Sequence, residues 1–257
     1  MTEQTKGILV VQARNGSTRF PYKSVTMLDG YPVLEHVIRR LRQSHYLGDS
    51  IIVATSDSPE DNSIAHITEL LSTPVFRGSQ ENVLSRFTKI SELVSPSYIV
   101  RVTGDCPFIN PQVVDRIVET YLKADYDYVS NTLKRTFPKG FDVECFSSSL
   151  LLEAIDDHRS QEHVTPFIYN SARYLTHSYL SEIDYSTLRC TLDFPEDLEL
   201  LQSILEMHRI CDPSSPDFLS LSAGDISSII DQYPDIQRLH ALAVDKALCY
   251  GEHPNLR

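Results

Sequence analysis

The stretch "VVQARNGSTRFPYK", Val10 to Lys23, starts as an apolar run and changes character at Gln12. The ten residues from Arg14 to Lys23 hold three cations (Arg14, Arg19, Lys23), one glycine and two hydroxyls. A strand that ends in a Gly/Ser loop and feeds a helix is a common phosphate-binding device, because bare backbone N–H groups can point at the anion. Gly16 permits close backbone approach, and Ser17 and Thr18 offer hydroxyl donors. The cations add charge-assisted hydrogen bonds, roughly twice as strong as neutral ones. Three of them suit a triphosphate better than a monophosphate. Neither GxxxxGK[ST] nor GxGxxG is spelled here, so neither a P-loop NTPase nor a Rossmann dehydrogenase is supported. Taken alone, the stretch also fits a solvated polar loop, and the rest of the chain has to decide.

Outward from this stretch, strand-like and helical patterns alternate. "GILVVQAR" (Gly7 to Arg14), "SIIVATS" (Ser50 to Ser56), "TPVFRG" and "YIVRVTGD" (Tyr98 to Asp105) read as strands. Between them, "YPVLEHVIRRLRQS" carries Val33, Leu34, Val37, Ile38 and Leu41 at helical period, and "SPEDNSIAHITELL" opens with a serine cap and Pro59. "SQENVLSRFTKISELV" reads as a further helix. Continuously apolar strands joined by helices predict an α/β fold, a mostly parallel sheet with helices on both faces. Next come short strand candidates, "YDYVSN", "FDVECF", "LTHSYL" and "LRCTLD", expected to pair antiparallel in part or to form a small arm. After Asp193 the pattern is mostly helical. The expected organisation is one main domain over residues 1–210 and a helical C-terminal extension, 211–257, packed on the same domain, with the break in "CDPSSPDF".

The totals narrow the function. Thirty-five acidic against 23 basic residues give the 257-residue chain a net charge of −12, which opposes nonspecific nucleic-acid binding. A small anionic ligand would need a local basic cluster, and the loop at Arg14 to Lys23 is one. No apolar run approaches the ~20 residues of a membrane span, and "MTEQTKG" lacks a signal pattern, so a soluble cytoplasmic protein is expected. Five cysteines (Cys106, Cys145, Cys190, Cys211, Cys249) show no metal-ligand spacing and read as buried free thiols.

Acidic residues supply the complement to the loop. Asp105 falls just past a buried-looking strand, where open parallel sheets bind ligands. Asp193 ends the run "RCTLD" directly before a helix start. Magnesium takes one or two protein carboxylates and fills its other positions from water and phosphate oxygens. Asp193 also reads as an N-cap, with Glu196 three residues on as its capping-box partner. Asp197 is expected to face the helix dipole or solvent. Asp142 and Glu144, two apart in "FDVECF", would share one face of a strand, in a substrate pocket or on a solvated edge. "DDHRSQEHVTPFIY" offers His163 as a substrate contact or a helix-start polar residue.

Taken together, "QARNGSTRFPYKSV", "IIVATS", "VFRGSQENVLSRF", "IVRVTGDCPFINP", "DYVSN", "KGFDVECF", "EHVTPFIY" and "LDFPEDLELL" resemble, in order, the cytidylyltransferases that activate acidic sugars. The spore-coat polysaccharide biosynthesis branch is the nearest in pattern. The likeness covers residues 7 to 205, and the helical tail also looks like that branch. It implies a three-layer, GT-A-like nucleotidyltransferase sheet with CTP over the first loop and Mg2+ as cofactor. By this resemblance Arg14, Gly16, Ser17, Arg19 and Lys23 bind the triphosphate, joined by Ala13 and Thr103, with Arg14, Arg19, Lys23 and Asp105 acting in catalysis. Asp105 and Asp193 match the metal-binding aspartates. Ala54, Arg77 and Gly78 fall where cytosine and ribose are held, and Asp142, Glu144 and His163 fall on the acceptor side. Relatives are commonly homodimers, and the strands after Tyr126 are the expected pairing arm. Two departures stand out: Tyr22 replaces the glycine of Leu-Pro-Gly-Lys, and Asn82 stands where an acid is common.

The expected reaction is attack of an acceptor oxygen on the α-phosphorus of CTP, giving a CMP-linked product and pyrophosphate for surface polysaccharide or glycoconjugate synthesis. One rival is a phosphorylated acceptor (a sugar phosphate, polyol phosphate or phosphonate), which needs extra cations such as Lys134, Arg135 and Lys139. Another is a GT-A glycosyltransferase, for which "DYD" at Asp125 to Asp127 has the spelling of a metal motif but precedes its strand. The third is a catalytically dead scaffold, which intact Lys23, Asp105 and Asp193 oppose.

Overall fold

A computed structural model describes residues 6–154, 163–212, 219 and 221–252. The opening run forms β1 (Gly7–Gln12) in the interior of a seven-stranded sheet. Its side chains alternate between two apolar layers. Leu9 and Val11 face one cluster, and Ile8 and Val10 face another. That double burial is the mark of a sheet covered on both sides. β1 lies parallel to β4 (Ile51–Ser56) and to β6 (Tyr98–Thr103), and β4 pairs in parallel with β5 (Val75–Gly78) at the edge. Beyond β6 the ladder changes direction. β8 (Glu144–Ser147) is antiparallel to both β6 and β7 (Tyr128–Ser130), and β7 is parallel to β9 (Thr176–Ser178). A second, two-stranded sheet joins β2 (Met27–Leu28) to β3 (Tyr31–Pro32).

Helices α1 (Val33–Leu41), α2 (Asn62–Leu70) and α4 (Pro111–Lys123) contribute to the first layer, and α3 (Val83–Val94) to the second. In α1, Leu34, Val37, Ile38 and Leu41 are all fully buried, worth about 1.5–3 kcal/mol each. Asn82 caps α3 by accepting the N–H of Ser85 at 2.9 Å, and Asn110 caps α4. The short α5 (Pro166–Tyr169) is followed by α6 (Pro195–Cys211), α7 (Ala223–Gln232) and α8 (Pro234–Cys249). Leu201, Ile226 and Ala243, one from each of the last three helices, share a cluster with Phe108, Phe141 and Leu192 of the main body. No helix among the described residues is long and apolar enough to cross a membrane.

Five expectations need correction. "LRCTLD" is extended but makes only a single bridge, Arg189 to Lys139, because it runs past Lys139 instead of entering the ladder. In "FDVECF" the ladder begins only at Glu144, although Phe141 and Val143 are buried as alternation requires. The cap of α6 is at Phe194, not Asp193, and the acid that serves it is Asp197: its Oδ2 accepts the N–H of Phe194 at 2.9 Å and of Asp193 at 2.8 Å. Asp197 is therefore fully buried, not solvent-facing. Cys211 and Cys249 are exposed, while Cys106, Cys145 and Cys190 are buried free thiols. Most of the "CDPSSPDF" turn, together with His158, Arg159 and Glu162, lies outside the described residues.

Candidate active site

The loop after β1 is pinned from below. Asn15 gives its N–H to Asp61 at 2.7 Å and its side-chain amide to the Glu60 carbonyl at 2.7 Å and the Ser63 hydroxyl at 2.9 Å. Its carbonyl accepts the N–H groups of Ser17 and Tyr22, at 2.8 and 3.1 Å, closing the loop on itself. Tyr22 occupies the left-handed region (φ 62°, ψ 19°), and its carbonyl accepts Val25 and Thr26 N–H groups, both at 3.0 Å. That conformation accounts for the glycine usual at this place. At Gly16 an added Cβ would meet only the Gln80 amide at 3.5 Å, so the glycine leaves open room above the loop without an unusual φ.

The loop forms one wall of a cavity of about 480 Å³. Ala13, Arg14, Gly16, Ser17, Arg19 and Lys23 line it on one side, and Thr103, Asp105 and His163 on the other. A second cavity of about 450 Å³ shares Arg101, Thr103 and His163 with the first and adds Arg135, Lys139, Asp142 and Glu144. The carboxyl end of β6 thus lies between two adjoining chambers, and that of β1 borders the first.

Two carboxylates converge on one cation at the wall of the first chamber, Asp105 lining it and Asp193 reaching in from behind its lining. Lys23 Nζ lies 2.5 Å from Asp105 Oδ2 and 2.6 Å from Asp193 Oδ1. Burial disfavours the Lys23 ammonium, but the two aspartates more than offset this and push its pKa well up. Burial likewise raises Asp105, and Lys23 overcomes it, holding that carboxyl below the usual range. Arg19 Nη2 lies 3.3 Å from Asp193 Oδ1, and its guanidinium stacks 5.0 Å from the Phe194 ring centre. A pair of acids from separate segments, already gathered around a positive charge beside a basic loop, fits a divalent cation that takes its remaining ligands from phosphate and water. No cluster of three or more metal-ligating side chains occurs among the described residues.

Arg189 holds the arrangement together and was not singled out from the sequence. It is 4% exposed, and its Nε and Nη2 meet Asp197 at 2.6 and 2.9 Å. Nη2 also reaches Asp193 Oδ2 at 3.3 Å, and Nη1 reaches Glu252 at 3.0 Å. Its only sequence signal was a charge inside an otherwise apolar run.

In the second chamber, Arg135 grips Asp142 through two bonds of 2.6 and 3.0 Å. Glu144 is buried, not on a solvated edge, and takes hydrogen bonds from Arg101, from Tyr128 at 2.6 Å and from Thr165 at 2.7 Å. Ala54, Arg77 and Gly78 line neither chamber. Ala54 is fully buried, and Arg77 spends its guanidinium on Ser56, Ser58 and Asn62 at 2.8–3.0 Å. Arg86, also missed, is fully buried behind Ala54 and donates to its carbonyl at 3.3 Å. Burial, with Arg14 nearby, pushes Arg86 down to about 10. Asp127, of the "DYD" spelling, accepts the Leu175 N–H at 2.8 Å at the start of β7.

An α/β sheet with a basic loop and paired acids at its carboxyl edge defines a nucleotidyltransferase. Comparison makes this specific: the cytidylyltransferase family model matches residues 8–237, and the chain belongs to that family, whose members are CTP-dependent nucleotidyltransferases. Over 241 residues it is 32% identical to the spore coat polysaccharide biosynthesis protein SpsF of Bacillus subtilis, covering 89% of this chain and 95% of that one. A cytidylyltransferase structure from Leptospira borgpetersenii superposes with a TM-score of 0.82 at 30% identity, over 91% of this chain and 97% of the other. A CTP complex of CMP:2-keto-3-deoxy-manno-octonic acid synthetase shares the fold, with a TM-score of 0.60 at 16% identity over 79% and 99%.

Proposed function

We propose that the protein transfers CMP from CTP to a hydroxyl of a sugar or sugar-like acceptor, releasing pyrophosphate, in the synthesis of a surface polysaccharide or glycoconjugate. The observation that carries this reading is the convergence of Asp105 and Asp193 on Lys23, a cation of the basic loop that, with Asp105, lines the first chamber. The family and the CTP bound by the octonic acid synthetase support CTP as donor. The role of SpsF supports a polysaccharide context.

In this reading Arg14, Arg19, Lys23, Ser17 and the backbone N–H groups around Gly16 hold the triphosphate. Arg19 and Lys23 then stabilise the charge that grows on the departing pyrophosphate. Asp105 and Asp193 would hold Mg2+, which when bound supplies Lewis-acid stabilisation of phosphate oxygens. Asp142 and His163 face the acceptor chamber, and Glu144 and Arg101 form its floor. Every step needs positioning and charge neutralisation, and none needs a protein nucleophile. The acceptor-side cations argue against a phosphate dianion: Arg101 pairs with Glu144, Arg135 with Asp142 and Lys139 with Glu252. An acceptor with several hydroxyls and little charge fits better.

The test is pyrophosphate release with CTP, UTP, ATP and GTP against acidic sugars, sugar phosphates and polyol phosphates in the presence of magnesium. CTP with a sugar acid or a neutral sugar should be the active pair. Arg19→Ala should lower turnover by about 10²–10³, the usual loss of one preorganised charge partner. Near-normal release by that variant, or no activity with any nucleotide, refutes the reading.

A further inference from the structure

Glu252 lies beyond the residues matched by the family model, yet three cations meet on it: Arg19 of the first chamber, Lys139 of the second and the buried Arg189. Its Oε1 takes Arg19. Its Oε2 takes Lys139 at 3.1 Å and Arg189 at 3.0 Å. The side chain is 15% exposed.

Its position is fixed by backbone geometry. α8 ends in a Schellman turn, with the N–H of Gly251 on the Leu248 carbonyl at 2.9 Å and that of Glu252 on the Ala247 carbonyl at 3.0 Å. Gly251 has φ +78°, which costs a glycine no Cβ clash. Tyr250, before the turn, packs its ring 5.0 Å from that of Phe194, the ring that carries both Arg19 and Arg189. The helix end therefore sets the carboxylate, and the aromatic pair sets the guanidinium beside it.

We propose that Glu252 is a positioning residue of the nucleotide site: its carboxylate clamps Arg19 against Phe194, so that the guanidinium is already aimed at the phosphate end of the chamber when CTP arrives. This rests on the reading of Arg19 as a phosphate ligand. A long, mobile arginine loses much rotamer freedom on binding, and clamping it beforehand removes that cost from the binding step. Glu252 does not act as a detachable anion that competes with phosphate. Oε2 is held by two cations, one of them buried, and the turn leaves the backbone little freedom. Burial pushes the Glu252 carboxyl up, but Lys139 and Arg189 hold it below its ordinary range, so it stays ionised at neutral pH. The same carboxylate ties Arg19 to Lys139, one cation from each chamber.

The test is calorimetric titration of Mg–CTP into the full chain without acceptor, for wild type, Glu252→Gln, Arg19→Ala and the double variant. Glu252→Gln should weaken CTP binding about tenfold, equivalent to about 1.4 kcal/mol. In the Arg19→Ala background the same change should cost less than about twofold, because the effect passes through Arg19. Glu252→Asp keeps the charge on a shorter arm, should lose less, and serves as the readout if the glutamine variant does not fold. Unchanged or tighter CTP binding by Glu252→Gln overturns the proposal, as do losses that simply add in the double variant. Failure of the wild type to bind CTP refutes the nucleotide reading instead.

Discussion

Asp197→Asn is the sharpest probe of how the site is built, since it changes one charge and almost no volume. The carboxylate accepts four hydrogen bonds, two from Arg189 and one each from the backbones of Asp193 and Phe194. An asparagine oxygen placed at Oδ2 keeps the backbone pair, but its amide nitrogen then faces the Nε–H of Arg189, donor against donor. Breaking a buried ion pair from one side typically costs about 3–5 kcal/mol. Arg189 retains Asp193 at 3.3 Å and Glu252 at 3.0 Å, which places the loss near the low end, about 3 kcal/mol. For a chain of this size that corresponds to a fall in Tm of about 6–12 °C. Differential scanning calorimetry at neutral pH gives the stability, and Mg–CTP titration shows whether Asp193 has moved. A Tm within about 2 °C of wild type would mean that Arg189 and Asp197 are not the buried brace described here.

Gly140→Ala should be nearly as damaging: φ is +105°, and a Cβ would come within 2.6 Å of the Cys190 carbonyl and 2.8 Å of the Thr191 nitrogen. A loss of at least about 2 kcal/mol in urea unfolding is expected, and an unchanged midpoint contradicts the close approach of the two segments. The pH profile separates the two ends of the Lys23 pair. Asp105 is held below 3.8, so its stabilising contribution is full above that value and is lost as pH falls through the lowered one. Lys23 is raised above 10.5, so its contribution is full below that value and is lost as pH climbs through the raised one. The Tm gap between wild type and Asp105→Asn should therefore be flat around neutrality and close in acid. A gap that widens on acidification refutes the pairing.

The sheet was legible because β1, β4 and β6 are continuous apolar runs and α1 carries a clean helical period. Asp105 was legible for the same reason, as an acid immediately past such a run. The contacts of Arg189 and Asp197 were not, because no local spacing rule says that two charges eight residues apart, one of them inside an apolar run, will meet. Local rules assigned the cap of α6 to Asp193, the residue type that favours caps. In the folded chain Asp193 turns toward Lys23, and Asp197 takes over the backbone N–H groups. Glu252 had no signal at all, since only the packing of α8 against α6 brings it to Arg19. β9, Thr-His-Ser, carries no apolar residue at all, so little in its sequence marks it as a strand.

Tyr22 has a practical consequence. An L-residue in the left-handed region carries about 1–2 kcal/mol of backbone cost, yet the ring at that position is 49% exposed and neighbours Lys23. The chain has 13 tyrosines and no tryptophan. Tyr22→Trp would therefore install a sole indole chromophore on the loop itself, and its emission would serve as an optical gauge of nucleotide arrival that no other side chain obscures.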